Sequence, residues 1–284
     1  MMLFRSILLI IPLNCSMVLF CPPAEYQKNS LAGQGIKGKV KAMTETTWEA
    51  TRGHGGLQKG SQRYKCTHVY DQQGFEKEQY RYKPDGNLWK KTIFRYDAEG
   101  HPVEAITQNP DTSISDKTLY KYDSKGHEIE RSQYNGDGVL AYQLIARFDE
   151  KGNLYESSIF NPDASLNSTR HHKFDEKGNM IETISYNSYN RIESRSTHKW
   201  DGRGLETERC TYTADGRLSD KTRIRYDDKG NETERISYKP DGTLKMIASG
   251  KYEDYDPAGN WRRRVTYYNN EPDEITEREI SYSP

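Results

Sequence analysis

The chain of 284 residues is short of cysteine, of aliphatic side chains and of net charge. Two of its four cysteines, Cys15 and Cys21, sit in the N-terminal apolar segment, which leaves Cys66 and Cys210. Two thiols so far apart are too few for a disulfide scaffold. Hydrophobic residues make up 33%, so there is little material for a thick oily core. Lys+Arg and Asp+Glu both number 42. That balance removes the electrostatic reason to expect nucleic acid as a partner. No Ser-His-Asp or Cys-His constellation, P-loop or GxGxxG stands in a supporting context. No enzyme and no cofactor are therefore expected.

Long apolar runs are also scarce. One extends from Ile7 to Phe20, with Arg5 ahead of it, and suits a secretory signal peptide over 1–24. It is too short and weakly flanked for a membrane span, so none is expected in the mature chain. Cys15 or Cys21 could carry a lipid anchor, although Asn14 and Phe20 stand where a small residue is usual. The expected location is exported: periplasmic, outer-membrane-associated or extracellular.

What is abundant is tyrosine, at 21 residues, and it is periodic. The phrase Tyr-Asp-x-x-Gly or a close variant places its aromatic at Tyr70, Tyr96, Tyr122, Phe148, Phe174, Trp200 and Tyr226, in steps of 26 residues. An eighth copy starts three residues late, at Tyr255. Half a repeat on comes a second turn, such as Lys83-Pro84-Asp85-Gly86 or Asn135-Gly136-Asp137-Gly138. Both are tight-turn signals in which Gly supplies a positive φ. The segments between them are rich in Thr, Ile and Tyr and read as strands.

These signals predict an all-β fold: an elongated antiparallel β-hairpin repeat array of 26-residue units, two strands each, about 16 to 18 strands in all. The array is expected to be a twisted or coiled meander, because a flat strip leaves a face and two edges uncovered. Residues 25–69 read as an N-terminal linker and capping strands, 70–254 as seven repeats, and 255–284 as a divergent last repeat and C-terminal cap.

Pairing across three-residue tips places Phe94 opposite Glu104 and Glu78 opposite Thr92. One face would then carry Leu88, Thr92, Phe94, Tyr96, Glu104 and Ile106, and the other Lys91, Ile93, Arg95, Val103 and Thr107. A Glu column recurs in every repeat, from Glu78 to Glu234. Set on the aromatic face, it should hydrogen-bond Thr and Tyr. Carboxylates beside aromatic platforms can also hold sugars or cations. The candidate binding residues are Glu104, Glu130, Glu156 and Glu182 with Tyr120, Tyr134, Phe160 and Tyr186. The alternative is a hydrogen-bond ladder that fixes strand register.

Other clusters lead nowhere chemical. His171, His172 and His198 lack the further close ligands a metal needs. One Asp per tip supplies too few oxygens for calcium and suits a bond to its own turn. The run Trp261–Val265 could meet an anionic surface or be a solvated strand.

Tandem Tyr-Asp-x-x-Gly-Asn with interleaved Pro-Asp-Gly resembles the YD repeat of the Rhs (rearrangement hot spot) family, over about Tyr70 to Asn260. The resemblance implies a strip of hairpins with tyrosines stacked along it. Large members wind such a strip into a hollow shell, often around a toxin domain, and some sit on cell surfaces. Eight copies are too few to enclose a cargo, so that role is not expected here. The expected function is a non-catalytic binding or scaffold protein of the cell envelope, whose ligand is carbohydrate or another envelope protein. The alternatives are a glycan hydrolase using ladder carboxylates, or a structural module pairing through sheet edges.

Overall fold

The structure is a computed structural model that describes Leu31 and residues 35–283. The signal segment, with Cys15 and Cys21, lies outside the described residues. The chain forms eighteen antiparallel strands in a single sheet. They are β1 (Val40–Gly53), β2 (Gly56–Tyr70), β3 (Glu76–Tyr82), β4 (Leu88–Tyr96), β5 (Pro102–Gln108), β6 (Ile114–Tyr122), β7 (Glu128–Asn135), β8 (Leu140–Phe148) and β9 (Leu154–Phe160). There follow β10 (Leu166–Phe174), β11 (Met180–Asn187), β12 (Ile192–Trp200), β13 (Glu206–Thr213), β14 (Leu218–Tyr226), β15 (Glu232–Tyr238), β16 (Leu244–Tyr255), β17 (Trp261–Tyr268) and β18 (Glu271–Tyr282).

Each strand pairs with its sequence neighbours, and β1 pairs with both β2 and β18. The meander is therefore a closed barrel and not an elongated open array. The segments read from sequence as caps are the seam: Thr47 stands opposite Thr276, and their hydroxyls lie 3.0 Å apart. Closure leaves no edge strand, which removes pairing through sheet edges as a mode of assembly. Barrels of this strand number enclose a lumen instead of a packed core.

The two turn classes sort to opposite rims. In the Tyr-Asp tips, the Asp97 backbone N–H donates to His101 O and the Gly100 N–H to Asp97 O. Asp97 Oδ1 also accepts from the N–H groups of Glu99 and His101. Gly100 takes φ 86°. Asp therefore serves its own turn, as the sequence suggests. At the other rim the degraded tips force Thr112, Ala164 and Asn190 into positive φ of 68°, 64° and 58°, at a cost of about 1–2 kcal/mol each where no Gly relieves it.

Next to each of the first seven Tyr-Asp tips the ladder skips one residue, whereas at the eighth Tyr255 pairs with Trp261 and Glu253 with Arg263 in step. Tyr96 pairs with Pro102, but Arg95 pairs with Glu104 and Phe94 with Ala105, leaving Val103 bulged. The same shift occurs at Lys121/Tyr122, Arg147/Phe148 and Arg225/Tyr226. A second shift sits at the other tips, so Glu78 pairs with Ile93 and not Thr92. Because side chains alternate, one skipped residue moves the rest of the strand to the opposite face. Thr92 and Phe94 share a face with Ala105 and Thr107. Glu104 and Ile106 join Lys91, Ile93 and Arg95 on the other, which corrects the face assignment read from sequence for every second strand.

The face bearing Thr92, Ala105, Thr107, Ala146, His172 and Thr183 is the shielded one; each of these is buried. The opposite face holds the exposed positions, such as Arg95, Lys121 and Arg147. The first lines the barrel and the second forms its outside. Along one rim the repeat aromatics stack on the residue that follows the preceding tip, and not tyrosine on tyrosine: Phe75 on Tyr96 (5.1 Å), His101 on Tyr122 (4.7 Å) and His127 on Phe148 (4.6 Å). Each such pair adds about 0.5–1.5 kcal/mol beyond its buried area. Apolar packing concentrates at the seam, where Leu31, Ile36, Val40, Met43 and Tyr70 form one cluster and Ala50, Val265 and Ile275 another.

Candidate functional site

The eight candidate residues do not form one site. Glu104, Glu130, Glu156 and Glu182 lie on the outer face, each against cations of adjoining strands. Glu104 contacts Arg95 (2.8 Å) and Lys117 (2.9 Å), Glu130 contacts Lys121 (2.9 Å), and Glu156 contacts Arg147 (2.8 Å). Glu182 sits between Lys173 and Arg195. Lys173 and Arg195 hold the Glu182 carboxyl below its ordinary range. Burial opposes ionisation of Glu130, but Lys121 outweighs it and lowers that carboxyl as well. Lys199 and Lys221 take Glu208 down to about 2. Expected Thr and Tyr partners are replaced by Lys and Arg, with Tyr80 to Glu78 (2.7 Å) an exception.

Tyr134, Phe160 and Tyr186 are also outside, at the second rim, opposite Leu140, Leu166 and Ile192 respectively. Tyr120 faces inward, with the Arg131 guanidinium 5.3 Å from its ring centre. It thus lies across the sheet from the glutamates, whose neighbour Lys121 is the next residue along β6.

The inner face carries the denser chemistry. Arg131 is bidentate on Glu128 (2.8 and 3.0 Å), Arg209 on Glu206 (2.9 and 2.6 Å) and Arg235 on Glu232 (2.8 and 2.7 Å). These forks repeat because the sequence does: Glu-x-x-Arg recurs at Glu128, Glu206 and Glu232. That spacing was the available signal for inner residues that sequence reasoning passed over. His198 Nδ1 donates to the Glu206 carboxylate (2.5 Å), and His68 Nδ1 to that of Glu76 (2.6 Å). Burial disfavours a charged Glu206, yet His198 and Arg209 prevail and lower it to about 2. Burial likewise disfavours charge on His68, but Cys66 and Glu76 raise it to about 10. His172, buried beside Arg170, goes the other way, to about 4.

Among the described residues, Asp97, Glu99 and His101 form the one acidic-histidine group that could hold a metal. The Asp97 carboxylate is committed to the turn, Oδ1 to two backbone N–H groups and Oδ2 to His101 Nδ1 at 3.1 Å. Cys66 and Cys210 are both free thiols.

No family model matches the chain, and no curated protein does either. Among solved structures, it is similar to a porin-like protein from Bacteroides uniformis at TM-score 0.43 and 8% identity, covering 86% of this chain and 98% of that one. A porin-like protein from Bacteroides vulgatus matches at TM-score 0.34 and 13% identity, covering 86% and 98%. The Photorhabdus luminescens Tc holotoxin pore matches at TM-score 0.29 and 14% identity, over 78% of this chain and 16% of that one. Likeness this loose carries no functional weight, and the barrel rests on the chain's own pairing. One contrast is physical: membrane barrels present an outward apolar band about 25 Å tall. Here the outer row beside the Tyr-Asp tips alternates Glu with Lys and Arg, and Lys91, Lys117, Arg195 and Lys221 reach glutamates of that row from mid-strand.

Proposed function

We propose that this chain is an exported, non-catalytic binding protein of the bacterial envelope, a short YD-repeat protein of the Rhs type whose strip closes on itself. In this reading the barrel stands in water and takes a polar ligand, of glycan class, on its inner face. The supporting observation is the division of chemistry between faces. Outside, the carboxylate row is consumed by ion pairs, and a charged row at lipid depth would cost about 2–4 kcal/mol per Arg or Lys. Inside, tyrosines such as Tyr120 and Tyr142 stand among Thr, His and Arg side chains, the aromatic-plus-polar lining that suits sugar rings. Hydrolysis by the ladder carboxylates has little support. A general acid needs a raised pKa, whereas Glu130, Glu182 and Glu208 are lowered.

Glycan-array and pull-down screening of the mature protein tests this reading. The expected result is a bound glycan whose capture is lost in Tyr142→Ala and kept in Glu156→Gln. Loss in Glu156→Gln with retention in Tyr142→Ala would put the site on the outer belt, and glycan cleavage by the wild type would end the non-catalytic reading.

A further inference from the structure

The repeat breaks once, in β16, and the break leaves a hole. Tyr252 holds the position 26 residues after Tyr226, and its hydroxyl donates to Glu232 O just as that of Tyr226 donates to Glu206 O. The chain then inserts three residues, with Asp254 at φ 54°, before Tyr255 begins the next tip. Two residues ahead of each rim aromatic stands an inward side chain: Phe94, Tyr120, Ala146, His172, His198 and Ile224. In β16 that place is Gly250, preceded by Ala248 and Ser249. A small cavity opens there, lined also by Tyr252, Arg264, Thr266, Glu232 and Glu234.

Arg264 is the unusual member. It is 5% exposed, and its Nε is buried without a hydrogen-bond partner. A buried guanidinium N–H without an acceptor is costly, and such an orphan in a native fold calls for a ligand, ion or water. Its ring contact is Trp261, whose centre lies 5.5 Å from Arg264 and 3.5 Å from a second buried guanidinium, Arg278. Three nearby carboxylates are hydrogen-bonded to other cations: Glu45 to Arg278 (3.0 Å), Glu232 to Arg235 (2.7 Å) and Glu274 to Arg63 (3.1 Å); Glu234 lies 2.7 Å from Arg225, but its Oε2 is buried without a formed hydrogen bond. Among the described residues Arg264 makes no ion pair within 4 Å; it hydrogen-bonds the Tyr252 hydroxyl and feels Glu274 at longer range, and its Nε is left toward the cavity without an acceptor.

We infer that the Gly250 cavity is a binding site for a compact oxyanion, a carboxylate, phosphate or sulfate group, held by Arg264. Planar guanidinium forks match such groups bidentately. Gly250 keeps the space clear, since a Cβ there would come within 3.2 Å of Glu232 O. This site is independent of the glycan reading of the lumen and uses none of its residues.

The test is the unfolding midpoint of the mature protein, titrated at constant ionic strength with inorganic phosphate, sulfate, acetate and glucuronate. The first two probe free inorganic anions, the last two a carboxylate alone and on a sugar. A specific site gives a saturable rise by mass action. Phosphate and sulfate also stabilise proteins generally by exclusion, so Arg264→Gln and Gly250→Ala are measured alongside. The inference expects a saturable response to at least one anion in wild type, weakened tenfold or more in both variants. Equal responses in all three proteins, no saturable response in wild type, or full retention in Gly250→Ala would each overturn it. Gly250→Ala keeps the test decisive if Arg264→Gln does not fold.

Discussion

The Tyr226 hydroxyl donates to the carbonyl of Glu206, 2.9 Å away on the adjoining strand. Tyr96 does the same to Glu76, Tyr122 to Pro102 and Tyr252 to Glu232, while Trp200 uses its indole N–H on Met180. In these five repeats the rim aromatic thus ties down the strand before it, which Phe148 and Phe174, lacking a donor, cannot do. Tyr226→Phe keeps the ring and removes the donor, so about 0.5–1.5 kcal/mol of stability should be lost. Chemical denaturation should show a lower midpoint with an unchanged slope. A midpoint equal to wild type would mean that the rim is held by stacking alone.

Two buried histidines should leave opposite marks on the pH dependence of stability. His172 has its pKa lowered to about 4, so the unfolded chain binds the extra proton between there and its ordinary value of about 6.5. Stability should therefore fall as pH drops through that window, and His172→Gln should flatten the fall. His68 is raised to about 10. Its contribution is fully present below about 6.5 and is lost as pH climbs toward 10. Thermal melts from pH 4 to 10 on His172→Gln and His68→Gln check the two slopes, and profiles identical to wild type would contradict the assigned environments.

The outer carboxylate belt should be worth little per pair. Arg147 is 60% exposed at its bond to Glu156, and exposed pairs contribute about 0.2–1 kcal/mol. Glu130→Gln with Glu156→Gln should lower the melting point slightly, with the difference shrinking in high salt. A large loss that salt does not touch would show that the belt is not solvated.

Positive-φ positions lacking glycine offer stabilising changes. Ala164→Gly at φ 64° and Thr112→Gly at φ 68° should each raise stability by up to about 1 kcal/mol, the left-handed strain outweighing the added freedom of the unfolded chain. Gly216→Ala, at φ 82°, should do the reverse. Denaturant midpoints of the three variants give the signs.

The tips, strand count and meander order were readable because each is local: a turn needs its Gly and Asp within five residues, and alternation follows at once. Closure is not local. It depends on Thr47 meeting Thr276 across 229 residues, and on accumulated curvature that no repeat displays by itself. The Glu column went to the wrong face for a smaller reason: the skipped residue Val103 has no sequence mark to distinguish it from a paired one. Arg264 was visible only as part of a basic run, since the unsatisfied Nε of its guanidinium is a property of the assembled wall.

Closure is the claim on which both faces, and thus every proposed site, depend. It is tested most directly by Thr47→Cys with Thr276→Cys in a Cys210→Ser background, oxidised and mapped by mass spectrometry of the unreduced digest. The hydroxyls these thiols replace are 3.0 Å apart, within reach of disulfide geometry. The account predicts a bridge formed within one chain, in high yield, between β1 and β18. Absence of that bridge, or its formation only between chains, would contradict the closed barrel.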